Sequence, residues 1–171
     1  MTIKKLHMGS CGIVALAVAS ATPAFASGTT AGSSITNTAS ISYSVGGVSQ
    51  PSVNSNTDSF VVDRKVNLTV AEVGSATTVV APGQTGAYTS FTLQNTSNAV
   101  LDFALTTAQT AGGAAAHGGT DNFDVTGVTI YRDTNGNNVY DAGTDTAVTY
   151  IDELAADATV TLFVVGDVPS G

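Results

Sequence analysis

Apolar residues alternate with small polar ones through most of this chain. Ile35, Ala39, Ile41, Tyr43 and Val45 are separated by Ser, Thr and Asn, a period of two that predicts a half-buried strand. Gly46-Gly47 then stands between Val45 and Val48, a hairpin signal because both residues tolerate positive φ. The return from Val48 to Asn56 is polar, and Pro51 confines it to an edge or a break because proline cannot donate to a ladder. Ser59 to Asp63 predicts a further strand, with Phe60 and Val62 on one face.

The same rhythm continues from Arg64 at the spacing of a β-sandwich. Val66, Leu68 and Val70 share a face. Thr77 to Ala81 is β-branched and stops at the Pro82-Gly83 turn. Ala87, Thr89, Phe91 and Leu93 share a face up to the Asn95–Asn98 turn, and Leu101, Phe103 and Leu105 do so again. Phe123–Tyr131, Thr146–Ile151 and Thr159–Val165 complete the expected strands. Ala108 to Gly119 is rich in Ala, but its two glycine pairs oppose a helix, at ~1 kcal/mol per Gly relative to Ala, and predict a mobile loop. One helical turn is expected over Asp152–Asp157.

These elements predict an all-β fold: an Ig-like antiparallel β-sandwich over 64–171 with an extra N-terminal β-hairpin. The segment 27–63 comprises a Gly/Ser/Thr-rich lead-in and that hairpin, which is too small to fold alone and is expected to pack on the sandwich. Thr159–Val165 is apolar on both faces, with Val160, Leu162 and Val164 against Phe163 and Val165, as befits a strand in the middle of a sheet or inside a larger core. The chain ends six residues after Val165. The expectation is a sandwich truncated at its last strand, whose open edge belongs to a longer repeat protein or is completed by another chain.

The first residues change where this fold is expected to work. Lys4 and Lys5, the apolar run Gly12–Ala19 and Ala24-Phe25-Ala26 have the layout of a secretory signal peptide over 1–26, cleaved after Ala26. The run is too short to span a bilayer, so no membrane insertion is expected after cleavage. The expected location is extracellular or on the outer cell surface. Without the leader, Arg64, Lys65 and Arg132 stand against all 13 acids, a formal charge of −10. That surface repels phosphate backbones and disfavours nucleic acid. The sole cysteine, Cys11, lies in the leader, so stability must come from core packing, bound metal or neighbouring domains.

One stretch carries candidate chemistry. In Tyr131–Asp145, oxygen-bearing side chains recur at alternate positions, Asp133, Asn135 and Asn137, followed by Asp141 and Asp145. A chain curling round a hard cation presents ligands at this interval, and the Val139 carbonyl fills the gap between Asn137 and Asp141. The candidate calcium ligands are therefore Asp133, Asn135, Asn137, Val139, Asp141 and Asp145. The helical EF-hand pattern fits less well, since its sixth and twelfth places hold Asn138 and Thr144 rather than Gly and Glu. Asn138 can replace Gly because Asn visits the left-handed region more readily than most residues. The alternative is an Asn/Gly-rich hairpin loop without metal.

Catalytic constellations are not apparent. His117 has no Glu or second His at ligand spacing and reads as a solvated loop residue. There is no Gly-x-Ser-x-Gly elbow and no phosphate-cradling Gly-x-x-x-x-Gly-Lys. Tyr43, Tyr88, Tyr131, Tyr140 and Tyr150 are expected at sandwich rims, rings buried and hydroxyls wet, rather than as a sugar platform.

Asn37–Tyr43, Phe91–Thr96 and Tyr131–Asp145 together resemble the conserved-repeat domains of bacterial exported proteins, a family of unknown function with an Ig-like fold. The resemblance implies an exported or cell-surface sandwich that neighbours other surface or repeat domains. The expected function is a non-enzymatic structural or adhesive module stiffened by calcium. Two alternatives remain open: a secreted-filament subunit completed by strand addition from a second copy, and the accessory binding module of a secreted hydrolase.

Overall fold

The computed structural model describes residues 28–110 and 112–171, so the expected leader over 1–26 lies outside the described residues. These residues form 15 strands and no helix. Six strands build an N-terminal arm: β1 (Ser34–Asn37), β2 (Ser40–Ile41), β3 (Ser44–Val45), β4 (Val48–Ser49), β5 (Val53–Asn54) and β6 (Asp58–Val61). They nest as one long hairpin, β1 with β6, β2 with β5 and β3 with β4, turning at Gly46-Gly47. At each of the two breaks, two residues of the outgoing arm face three of the returning one. Pro51 occupies one break, where its missing N–H costs no ladder bond. In the other, Ser55 Oγ accepts the Ala39 N–H at 2.9 Å in place of a ladder carbonyl.

The sandwich follows. Its main sheet has five antiparallel strands in the order β13 (Thr146–Ala147), β12 (Thr126–Arg132), β15 (Thr159–Asp167), β8 (Ala87–Asn95) and β7 (Leu68–Glu72). The opposing layer is the pair β14 (Tyr150–Leu154) and β9 (Leu101–Ala104). The chain changes layers at Val148 and Thr149: the Val148 N–H still bonds Ile130 in the main sheet, while the Thr149 carbonyl accepts from Leu105 beside β9. Leu93, Val160 and Leu162 from one layer meet Phe103 and Ile151 from the other, as the alternation in β8, β9 and β15 requires. Where the small layer stops, Phe91, Leu105, Ile130 and Val164 line an open groove of about 470 Å³. Two short strands, β10 (Gly113–Ala114) and β11 (Thr120–Asp121), pair within the Ala/Gly-rich loop.

Four expectations need correction. The strand expected at Thr77–Ala81 is absent, because Gly74 and Ser75 at φ 85° and 44° turn the chain off the sheet after β7. The β-branched residues there have no ladder to join, and Val79 is 89% exposed. The helical turn over Asp152–Asp157 is also absent. β14 runs on to Leu154 with a bulge, and a turn closed by the Ala158 N–H on the Ala155 carbonyl follows. The strand beginning at Thr159 has no open edge, since β12 and β8 flank it on both sides. Its apolar faces reflect this central place, and the outer edges of the sheet are β7 and β13. Finally, His117 is not merely solvated: its Nε2 lies 2.7 Å from Glu72 Oε2, linking the Ala/Gly-rich loop to β7.

The arm meets the sandwich at Asn98. Asn98 Nδ2 donates to the carbonyls of Thr29 and Asp63, and its Oδ1 accepts the Lys65 N–H at 2.8 Å. Its backbone carbonyl takes the Ala31 N–H.

Candidate metal centre

The loop between β12 and β13 is framed by two carboxylates. Asp133 accepts the Gly136 N–H on Oδ1 at 2.7 Å and the Asn138 N–H on Oδ2 at 2.8 Å. Asp145, 7% exposed, accepts the N–H groups of Thr134 and Asp141. Each satisfies backbone donors that the curl of the loop leaves unpaired. Asn138 stands at φ 60°, the left-handed conformation its residue type suggested, and its Oδ1 accepts the Thr161 hydroxyl.

Within that frame three side chains converge. Asn135 Nδ2 and Asn137 Nδ2 both donate to Asp141 Oδ2, at 2.9 and 2.6 Å. These two amides hold the Asp141 carboxyl below the usual aspartate range, because hydrogen bonds to the charged form favour it. Of the six candidate ligands, Asn135, Asn137 and Asp141 are thus brought together, while Asp133 and Asp145 are engaged in shaping the loop. Val139 follows Asn137 closely, its N–H bonded to Asn137 Oδ1 at 2.8 Å. Among the described residues no three His, Cys, Asp or Glu side chains are grouped to hold a metal; the convergence here is one carboxylate with two amides.

The donor set suits a hard cation. A half-turn of each amide exchanges its nitrogen for its oxygen and releases the Asn137 and Val139 N–H groups from Asn135 Oδ1 and Asn137 Oδ1, so binding an ion this way requires the loop backbone to shift as well. Three oxygens then meet where two N–H groups now point at one, an arrangement that repels unless a cation lies between them.

The loop is also pinned to the outer face of the main sheet. Tyr140 packs on Tyr131, Tyr88 and Phe163, with ring centroids 5.0, 5.6 and 6.0 Å away. Phe163 is fully buried as a result. Burial foremost, then neighbouring Tyr131 and Asp145, push the Tyr140 phenol above its ordinary value. Three of the five tyrosines therefore form one cluster, which residue spacing could not reveal because it depends on the loop folding back over β15.

Asn95–Asn98 does more than close a strand, the one role its composition predicts. Asn95 and Ser97 are buried and clamp the turn to its surroundings. Asn95 Nδ2 donates to the carbonyls of Ala99 and Leu154, and the Ser97 hydroxyl donates to that of Asn67. The run of short amide and hydroxyl side chains was the available signal.

Comparison with family models, with curated proteins and with solved structures finds no match.

Proposed function

We propose that this chain is an exported structural or adhesive β-sandwich module of the cell surface, in which calcium at the 133–145 loop stiffens one end of the sheet. The observation that carries the reading is the convergence of Asn135 and Asn137 on Asp141 Oδ2. Asp141, the two amides rotated to present oxygen, and the Val139 carbonyl would hold the ion, with water completing the shell. The leader-like first 26 residues and the acidic, cysteine-free remainder support a setting outside the cell.

The ion would join the β12–β13 connection into one rigid unit and, through Tyr140, brace it against β15. With a single carboxylate at the point of convergence, affinity belongs to the weak extracellular class, ~10⁻⁴–10⁻³ M. At tenfold excess over that constant the gain is about 1.4 kcal/mol, a rise of roughly 3–5 °C in melting midpoint for a domain of this size. Calorimetry in chelator and in millimolar calcium tests the reading, and an unchanged midpoint removes the metal from it.

A further inference from the structure

The arm presents an apolar face that this chain covers only at its base, where Ile35 is half-buried and lines a hollow with Phe60, Thr96, Ser97 and Asn98. Ile35 lies opposite Phe60, Ile41 opposite Val53 and Val45 opposite Val48. The extra residues at both breaks belong to the returning strand, so alternation along the outgoing one places all three pairs on the same face. The opposite face carries Ser34, Thr36, Ser40 and Ser44, with Val61 beside Ser34 at the base. Ile41, Val45, Val48, Val53 and Phe60 are 57–65% exposed. The sequence is thus patterned for a half-buried ribbon, yet the ribbon meets the sandwich at its base, where Asn98 holds it.

Charge, twist and area identify what covers this face. No charged residue occurs between Gly28 and Thr57, and all 13 acids lie from Asp58 onward. Asp58, opposite Asn37 at the base, is the one acid within the arm's strands, so two copies repel through their sandwiches and these bases but not along the ribbon from Ser40 to Asn54. A two-stranded ribbon is strongly twisted, and an identical ribbon matches that twist along its length, as aligned sheets do in a sandwich. The exposed apolar side chains amount to on the order of 500 Å² per arm, so two faces together remove ~1,000 Å² from water, the lower bound of a specific interface.

We propose that the arm is a homotypic docking element whose apolar face packs antiparallel against the same face of a second copy's arm. The antiparallel sense follows from the charges. An outgoing strand of 12 residues, Ser34–Val45, is ~40 Å long, so this alignment sets the two acidic sandwiches several Debye lengths apart at physiological salt. A parallel alignment brings them together. This contact uses no part of the 133–145 loop and stands independently of the calcium reading.

Sedimentation of the full chain in chelator, over a wide concentration range, tests the proposal. The expected result is a monomer–dimer equilibrium little affected by salt. Two charge variants then identify the contact: Ile41→Glu with Val53→Glu, and Ile41→Lys with Val53→Lys. Each alone weakens dimerisation at least tenfold, while an equimolar mixture restores it as a heterodimer. Val45→Glu alone produces the same loss and provides the answer if a double variant misfolds. A wild-type monomer at every concentration overturns the proposal. So does tighter self-association of the lysine variant, which would place the arm on an acidic sandwich instead.

Discussion

The Tyr140 ring lies 6.0 Å from the ring of Phe163, so the loop bearing the candidate ligands is fastened to the middle strand of the sheet. Phe163 projects from β15 on the face away from the main core and is 0% exposed. Its burial depends on an aromatic side chain delivered by the loop. Loop order and sheet stability are therefore coupled. Tyr140→Ala is expected to cost about 2 kcal/mol in urea unfolding, less than a fully buried aromatic because Tyr140 is only half-buried. Hydrogen exchange at the Asn138 amide should quicken in the same variant. Tyr140→Phe keeps the ring and should stay within about 0.5 kcal/mol of wild type. Equal losses for the two would mean that the hydroxyl, not the ring, fastens the loop.

Asn137→Asp separates the calcium reading from a purely structural loop by the sign of its effect. Asn137 Nδ2 lies 2.6 Å from Asp141 Oδ2. A carboxylate in its place sets two negative charges in contact and removes a donor, so the calcium-free protein should melt earlier. With calcium the same change adds a second charged ligand, and affinity should rise at least tenfold. Titration calorimetry and melting curves in chelator and in calcium report both arms. Destabilisation that calcium fails to reverse would assign the Asn135–Asn137–Asp141 cluster to loop geometry alone.

Alternation made the architecture legible because it is a local property written into each strand. Ala87, Thr89, Phe91 and Leu93 do share the inner face of β8, and Gly46-Gly47 turns the arm. What failed depended on partners. Thr77–Ala81 has strand composition but no neighbour, since the chain leaves the sheet at Gly74 and Ser75. The strand beginning at Thr159 takes the mid-sheet place its two apolar faces suggest, and it is the expected open edge that is missing, because β12 and β8 flank it. At the site, the spacing of oxygen-bearing residues located the loop and the left-handed place of Asn138. It did not distinguish Asp133 and Asp145, which hold backbone N–H groups, from Asn135, Asn137 and Asp141, which converge. That distinction depends on the path of the backbone between them.

Acid should loosen the loop through Asp141. The two asparagine amides lower its carboxyl in the folded state. A group depressed on folding contributes stability that is present above the unfolded aspartate range, ~4, and is lost as pH falls through the lower folded value. The amide signals of Asn135 and Asn137 should accordingly hold steady from neutral pH down to ~4 and shift only below it, as NMR titration in chelator would show. In Asp141→Asn that late transition should vanish. A transition centred above the ordinary aspartate range would contradict the observed pairing.

The Asn95 side chain offers the sharpest test of what holds the two layers together. It is 0% exposed. Its Oδ1 accepts the Ser97 N–H at 3.0 Å, and its Nδ2 donates to the carbonyls of Ala99 at 2.9 Å and Leu154 at 2.8 Å. One amide thus closes the β8–β9 turn and ties it to the end of β14 in the opposite layer. Asn95→Ala leaves the buried Ser97 N–H and the half-buried Ala99 and Leu154 carbonyls without that partner and should cost about 2 kcal/mol. Asn95→Asp keeps the size but replaces the donor facing two carbonyls with a charged acceptor, so it should cost at least as much as alanine. The neighbouring Thr96 supplies the control. Its buried hydroxyl has no partner among the described residues, so Thr96→Val removes an unsatisfied group and should be neutral or stabilising by about 1 kcal/mol. Urea midpoints ordered Thr96→Val, wild type, Asn95→Ala and Asn95→Asp from highest to lowest would establish the clamp, whereas an Asn95→Asp protein as stable as wild type would show that these carbonyls do not depend on it.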